Sequence, residues 1–209
     1  MGLFRANPPS VVPASGEPCI KGSVVREFAA FVESARGASF LRNTVSTLPN
    51  DIREGIDLER PGLGLLPSQW YSARFVHALL DAIVAGTPEP DRQPLYRAAA
   101  RQAVRTMLRG IYRWLFERIS TPSLYARHIQ RIWDMIHTGG TRRIVMLAPG
   151  EADSIVESWP AHHPVLCELV SETTVAIFES MSCTDVHAER LECVSRGNPR
   201  CRTRITWRR

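Results

Sequence analysis

Three cysteines in the C-terminal third of the chain, Cys167, Cys193 and Cys201, are the residues best suited to chemistry. The last two stand eight positions apart across a Gly-Asn-Pro turn, which can bring two thiols from adjacent strands to one point. A third thiol, arriving from a helix that carries Cys167, would complete a pocket of three sulfur atoms that binds a zinc ion once a fourth ligand is present. The alternative is that these cysteines are small buried apolar residues.

The elements that must position these thiols change in type after Gly140. Before it, apolar residues recur at helical spacing over 23–32, 40–48, 70–85, 94–120 and 122–136. After it, the pattern predicts strands at 143–148 and 155–159, a helix at 164–178, and strands at 186–194 and 201–207. Helices followed by strand-strand-helix-strand-strand predict an α+β fold, with an antiparallel sheet covered by helices.

Composition and length predict one folded domain with a loose N-terminal arm. Residues 1–18 are rich in proline and small residues and are predicted to be disordered. Residues 19–209 are expected to form a single α+β domain, with a helical part at 19–120 and a sheet part at 121–209. The stretches 49–67 and 87–93 are predicted to be loops, and Ser23 is the predicted N-cap of the first helix.

The chain shows no sign of secretion or of a membrane span. No run of apolar residues is long enough to cross a bilayer, and the N-terminus lacks the order of a secretory signal. The five cysteines are an odd number for a disulfide framework, so free or metal-bound thiols in a reducing compartment fit better. These features predict a cytoplasmic protein that does not bind membranes.

The net charge of +5 raises the question of nucleic-acid binding. The cations are spread along the chain among acids, and almost all are arginines, Lys21 being the only lysine. The densest group, at 200–209, places arginines on one face of a strand, where they could contact phosphates or form a solvated edge. Since no helix-turn-helix or zinc-finger spacing is present, nucleic-acid binding is not expected and is kept only as an alternative.

The C-terminal part, 126–207, resembles the 4-vinyl reductase domain, a small-molecule sensor module. The resemblance rests on the order of strands and helix, on the Cys193–Cys201 hairpin with Gly197 in its turn, and on Cys167 upstream. It implies the fold shared by haem nitric-oxide sensors and a Golgi tethering subunit. The phrases at 20–24 and around Trp70 and Trp133 also resemble a myxobacterial paralogous family of uncharacterised proteins, which implies no defined activity.

The same resemblance implies a ligand set for a structural zinc ion. In phenol-responsive regulators with this domain, three cysteines and a glutamate hold the metal, and the cysteines correspond to Cys167, Cys193 and Cys201. The chain departs from the pattern at the acidic position, which is Arg190. Glu189 lies one place away, and His187 lies on the Cys193 face by strand parity, so these two are the candidate fourth ligands.

The resemblance further implies an apolar ligand cavity between helices and sheet. The residues expected to bind the ligand are Trp133, Ile136, His137, Trp159, His162 and Phe178. The alternative is that the aromatic residues among them only fill the core. We do not expect haem, because the adjacent His162 and His163 precede a helix and suit a cap or a solvent-exposed position.

Catalysis is not expected, because the sequence lacks paired carboxylates, a phosphate-binding glycine loop, a GxSxG elbow and an HExxH motif. The sequence therefore predicts a cytoplasmic, non-catalytic sensor module. It would bind a small apolar molecule and signal through a protein partner or through a homodimer formed by its N-terminal helices. A ligand-free interaction scaffold is the first alternative, and a basic nucleic-acid-binding protein is the second.

Overall fold

The computed structural model of the chain describes residues 13–109 and 121–208. Most of the predicted arm and the end of the helix expected at 94–120 lie outside these residues. The chain divides into two compact units. Unit 1 comprises Met1–Arg92 and Ile136–Thr138, and unit 2 comprises Gln93–Met135 and Gly139–Arg209. The domain boundaries expected from the sequence stay a prediction.

Unit 1 is mainly helical and contains a small two-stranded sheet. Its elements are β1 (Cys19–Lys21), α1 (Gly22–Arg36), α2 (Ala38–Ser46), α3 (Asn50–Arg53), a 3-10 turn (Pro61–Gly64), β2 (Trp70–Ser72) and α4 (Ala73–Ala85). The two strands are antiparallel and place Lys21 opposite Trp70, with the lysine ammonium 4.5 Å from the centre of the indole ring. The stretch expected to be a loop at 49–67 thus contains one short helix and one 3-10 turn.

Two element boundaries in unit 1 differ from the sequence prediction, and hydrogen bonds fix both of them: a local one at Ser72 and one between distant segments at Gly22. The helix expected from residue 70 begins at Ala73, after Ser72 accepts a hydrogen bond from the Phe75 amide at 3.1 Å. The first helix begins at Gly22 and has no side-chain cap from Ser23. Instead, the Gly22 amide donates to the carbonyl of Gln69 at 2.8 Å.

The helices of unit 2 are α5 (Glu89–Arg109, which begins in unit 1), α6 (Pro122–Asp134) and α7 (Pro164–Ser180). The segment expected to be a link at 87–93 is therefore partly helical. Thr121 caps α6 by accepting from the Leu124 amide at 3.2 Å. His163 caps α7 by accepting from the Val165 amide through Nδ1, also at 3.2 Å, which is one of the two positions expected for this pair of histidines.

Thr121→Ala is expected to lower the free energy of unfolding by about 1 kcal/mol, because it leaves an amide of the first turn of α6 without its side-chain acceptor. Urea unfolding followed by far-ultraviolet circular dichroism measures this change. Thr121→Ser retains the hydroxyl and is the matched control, which should unfold close to the parent. Equal losses in the two variants would contradict the capping role.

The sheet of unit 2 confirms the predicted α+β class and its antiparallel arrangement. Its strands are β3 (Thr141–Ala148), β4 (Glu151–Glu157), β5 (Thr184–Glu192) and β6 (Arg200–Arg208). They lie in the order β3-β4-β6-β5, with every neighbouring pair antiparallel. The second strand begins four residues earlier than predicted. Gly197 has φ 81° in the β5–β6 connection, a left-handed conformation that suits glycine.

The core of unit 2 lies between α6, α7 and one face of this sheet. Phe178 is at its centre, with ring contacts to Tyr125 at 6.1 Å and to Trp207 at 5.0 Å. The Arg142 guanidinium is also buried, donates to Thr174 at 2.7 Å and lies 5.7 Å from the centre of the Trp133 ring. Within the described residues, none of the helices combines the length and the apolar character needed to span a membrane.

Candidate functional site

The structure brings the three predicted thiols together at one end of the sheet of unit 2. Cys167 lies in the first turn of α7, Cys193 follows β5, and Cys201 is the second residue of β6. His162, in the turn between β4 and α7, joins them. The ligand atoms of these four side chains all lie within 4.8 Å of one another, and the three cysteines are buried.

The sulfur of Cys193 is the centre of this group, which we call the thiol–imidazole cluster (His162, Cys167, Cys193 and Cys201). It lies 3.7 Å from the sulfur of Cys201, 3.9 Å from that of Cys167 and 3.7 Å from Nε2 of His162. The three cysteines of the cluster form no disulfide bond. The cluster therefore combines thiols and an imidazole that are close without being covalently joined.

The hairpin turn holds the cluster in place through its own backbone. The Cys193 amide donates to Oδ1 of Asn198 at 3.0 Å, and the Val194 amide lies 3.5 Å from the Cys201 sulfur. The hydroxyl of Ser195 is 3.1 Å from the Cys193 sulfur. An amide directed at a sulfur favours the thiolate form, so the turn supplies both position and electrostatic support.

The thiols of the cluster differ in acidity. The hydrogen bond from Cys167 lowers the pKa of Cys201, and the Val194 amide and the charge of His162 lower it further. The same hydrogen bond, together with burial, raises the pKa of Cys167. Of these two thiols, Cys201 is therefore the one that loses its proton more readily.

The structure places the two candidate fourth ligands, Glu189 and His187, away from this cluster. Both are exposed, and their partners across the sheet are Arg204 and Thr206 on β6. The parity argument for His187 does not reach Cys193, because the pairing of β5 with β6 shifts register between Arg190 and Glu192.

At the position where the resemblance implies an acidic ligand, Arg190 forms other contacts. Its side chain is 11% exposed, pairs with Glu168 at 2.7 Å and donates to Ser171 at 3.2 Å. The nitrogen donor that the sequence prediction did not assign to the metal is His162. His162 stands five residues before Cys167 and two before the start of α7, so its nearness to Cys167 along the chain was the one signal that the sequence offered.

The residues expected to bind an apolar ligand divide between the two units. In unit 2, Trp133, Trp159 and His162 form a row, with ring centres 4.9 Å apart in the first pair and 5.6 Å apart in the second. Phe178 contributes to the core described above. Ile136 and His137 belong to unit 1, where the Ile136 carbonyl accepts from the Lys21 amide at 2.9 Å and His137 bridges to Ile20.

Unit 2 also contains a cavity of about 610 Å³ that the sequence did not reveal. It lies where the start of α6 meets the β3–β4 turn and the end of β6. The described residues that line it are Thr121, Pro122, Ser123, Met146, Pro149, Gly150, Trp207 and Arg208. These residues come from three separate segments, so only tertiary structure brings them together.

The arginines of β6 are paired with acids across the outer face of the sheet. Arg200 and Arg202 both bind Glu192 at 2.8 Å, and Arg204 binds Asp153 at 2.6 Å and also Glu151. The hydrogen bond from Arg200 is the largest cause that lowers the pKa of Glu192. These cations are therefore engaged within the sheet, which weakens the nucleic-acid alternative.

Comparison with known proteins shows the fold. No protein-family model matches the sequence, and no curated protein matches it. The Fe(II) unliganded H-NOX protein from K. algicida matches with a TM-score of 0.66 at 14% identity, covering 91% of this chain and 97% of that chain. The S. oneidensis H-NOX protein in its Fe(II)NO state matches with a TM-score of 0.66 at 12% identity, covering 91% and 100%.

A third match is the oxygen complex of an oxygen-binding H-NOX domain related to soluble guanylate cyclases. Its TM-score is 0.60 at 12% identity, over 91% of this chain and 96% of that chain. At these identities the likeness establishes the fold alone. The chain thus has the fold of H-NOX proteins, which agrees with the fold that the sequence resemblance implied. The narrower 4-vinyl reductase assignment lacks this support, and the myxobacterial likeness stays a prediction.

The cofactor expectation requires correction. We expected a structural zinc ion and no haem, whereas the proteins that share this fold are described in Fe(II), Fe(II)NO and oxygen-bound states and by the distortion of their haem. The expectation against haem is therefore wrong, and the comparisons lend no support to zinc. That expectation was based on two adjacent histidines near the start of a helix. These residues alone could not exclude haem binding, because a haem pocket depends on the whole fold.

The residues present allow a test of how haem would fit. The axial ligand of haem is commonly an imidazole. Among the described residues of unit 2, His128 and His187 are exposed, His162 contacts Cys193 and His163 caps α7, so none of these four fits that role. Unit 1 contains a buried imidazole, His137.

Proposed function

We propose that the chain is a non-catalytic sensor domain that binds a small molecule and passes the binding event to a protein partner or to a second copy of itself. The observation that carries this proposal is the H-NOX fold, matched over 91% of the chain. The solved proteins with this fold include one described as oxygen-binding and one in an Fe(II)NO state, so small ligands are the natural class to test.

The 610 Å³ cavity of unit 2 supports the proposal by its size. Pockets that bind small molecules usually measure about 300–1,000 Å³. Its walls combine apolar groups, such as Met146 and Trp207, with the charged Arg208, a mixture that can hold and orient a small polar-ended molecule. The row formed by Trp133, Trp159 and His162 is the second place where a ligand is proposed to bind, as the sequence suggested.

Signalling would follow from a shift in packing. A ligand that prefers one arrangement of helices on the sheet moves the population toward that arrangement, and only by as much as its affinities for the two arrangements differ. The altered surface would then change affinity for a partner or for a second copy. Within this proposal the chain binds its ligand without transforming it.

The first test is native mass spectrometry of the intact chain, combined with thermal unfolding in the presence of added haem. We expect a retained molecule of defined mass, or saturable binding of haem at one equivalent. A ligand at 100 times its dissociation constant should stabilise the folded state by about 2.7 kcal/mol, because it binds the folded chain and not the unfolded one. A chain that retains no molecule and gains no stability would instead be a ligand-free scaffold.

Two pairs of variants locate the binding site. Met146→Trp fills the cavity and should abolish binding there, whereas Leu147→Trp, on a neighbouring exposed residue that does not line the cavity, should not. If haem is the ligand, His137→Ala should change its absorption spectrum, and the exposed His128→Ala is the matched control. Binding that resists Met146→Trp would move the site to the aromatic row.

A further inference from the structure

The thiol–imidazole cluster has the composition and dimensions of a tetrahedral metal site. We propose that His162, Cys167, Cys193 and Cys201 together bind one divalent metal ion that favours sulfur ligands. This inference goes beyond the sensor function, because the site would exist whether or not the chain binds a small molecule. It also differs from the ligand set implied by the family resemblance, since the fourth donor is an imidazole from a different segment.

The three distances from the Cys193 sulfur match the edges of a coordination tetrahedron, and all four ligand atoms lie within 4.8 Å of one another. With bonds of about 2.3 Å to sulfur and about 2.0–2.1 Å to nitrogen, a tetrahedral ion separates two sulfurs by about 3.8 Å and a sulfur from a nitrogen by about 3.6 Å. The Cys193 sulfur lies 3.7 and 3.9 Å from the other two sulfurs and 3.7 Å from Nε2 of His162. A disulfide would instead require about 2.05 Å.

All four donors converge although they come from separate parts of the chain. His162 lies before α7, Cys167 is on α7, and Cys193 and Cys201 flank the hairpin turn, yet their ligand atoms are mutually within 4.8 Å. The three cysteines are buried. A metal ion bound there would take these sulfurs as thiolates and would balance the negative charge that burial otherwise makes costly.

The surroundings provide the outer contacts that a thiolate site uses. The Val194 amide approaches the Cys201 sulfur at 3.5 Å, and the Ser195 hydroxyl approaches the Cys193 sulfur at 3.1 Å. Such contacts orient ligands and lower the cost of their negative charge. The His162 ring is held edge-on to Trp159, with ring centres 5.6 Å apart. The imidazole is therefore already placed before a metal binds.

Glu189 and His187 do not belong to the cluster and are poor candidates for its fourth ligand. Both are exposed on β5 and pair across the sheet with Arg204 and Thr206, several residues before Cys193. His187 consequently provides a matched control for His162, since both are imidazoles and only one belongs to the cluster. Cys183 provides the corresponding control for the thiols, because it is buried in the core of unit 2 outside the cluster.

The test is a titration of the intact, reduced and chelator-treated chain with cobalt(II), together with elemental analysis of chain purified without chelator. We expect one cobalt ion per chain, with sulfur-to-cobalt charge-transfer bands and the intense visible bands of a tetrahedral site. Cys193→Ser should abolish these bands. His162→Ala should weaken cobalt binding by at least about tenfold. Loss of an outer-shell contact alone costs about 10–100-fold in metal affinity, and loss of a direct ligand should cost no less.

The controls separate loss of the site from loss of the fold. His187→Ala and Cys183→Ser should bind cobalt as the parent does, and circular dichroism should show that each variant is folded. If Cys193→Ser does not fold, Cys201→Ser and His162→Ala test the same set of donors. The proposal is overturned if the parent chain shows no stoichiometric binding, if the spectrum lacks sulfur-to-cobalt bands, or if His162→Ala binds as tightly as His187→Ala.

This result is independent of the sensor proposal. Haem binding and a retained small molecule are read from mass and from the haem absorption spectrum, whereas the cluster is read from cobalt bands and metal content. If the chain binds cobalt but no small molecule, the metal-site proposal stands and the sensor proposal fails. If the chain binds a small molecule but no cobalt, the sensor proposal stands and the metal-site proposal fails.

Discussion

Trp133→Ala is expected to lower the free energy of unfolding by about 3–5 kcal/mol, the range for removing a large aromatic side chain from a core. Trp133 is 0% exposed, and its ring meets that of Trp159 edge-on at 4.9 Å. Its indole N–H also donates to the Gly139 carbonyl at 3.0 Å. Alanine would leave a cavity, remove the ring contact and leave the Arg142 guanidinium without the ring that it faces.

Urea unfolding measured by far-ultraviolet circular dichroism gives the change in free energy. Trp133→Phe keeps most of the apolar volume and loses the hydrogen bond, so it should cost less than the alanine variant. Trp70→Ala, at a half-buried tryptophan of unit 1, is a second comparison. A loss below about 1 kcal/mol for Trp133→Ala would contradict the packing described here, because such a loss is typical of a surface site.

Gly22→Ala is the second change with a large expected effect. A Cβ atom at this position would overlap the carbonyl oxygen of Leu66 and would lie 2.6 Å from Cε2 of Tyr71. The first obstacle is backbone, so a segment would have to move, and we expect a loss of about 3 kcal/mol or more. The gain of about 0.4–1 kcal/mol that alanine brings by restricting the unfolded chain is too small to offset it.

Gly86→Ala is the matched control in the same unit. A Cβ atom there would meet the end of the Phe40 side chain at 3.1 Å, and a side chain can move aside more easily than a backbone carbonyl. Neither glycine has a positive φ, so the comparison isolates the clash. Thermal unfolding of the two variants should show a large shift for Gly22→Ala and a small one for Gly86→Ala. Equal shifts would show that the contact with Leu66 is not what requires glycine.

The sequence was sufficient to predict the order of strands and helix in unit 2 and the meeting of the three thiols. Both follow from local signals. Gly197 permits the left-handed turn that joins β5 and β6, and Pro164 marks the start of the helix that carries Cys167. Two strands joined by a short connection must be neighbours, so Cys193 and Cys201 had to approach each other.

The remaining features depend on contacts between distant segments. The three-residue strand β1 exists because it pairs with β2, and a segment so short carries no periodicity of its own. The register shift in β5 altered the face that parity assigned to His187. His162 could be placed beside Cys193 only once the turn after β4 was known. The cavity is likewise formed by three segments that no local pattern connects.

One contact in unit 1 has a practical consequence. Lys21 is the only lysine of the chain, and its ammonium lies over the ring of Trp70. Reagents that acylate primary amines therefore have a single side-chain target, and a fluorophore attached there would lie next to an indole that can quench it. Its brightness would report the separation of the two short strands during unfolding, without the need to introduce a labelling site.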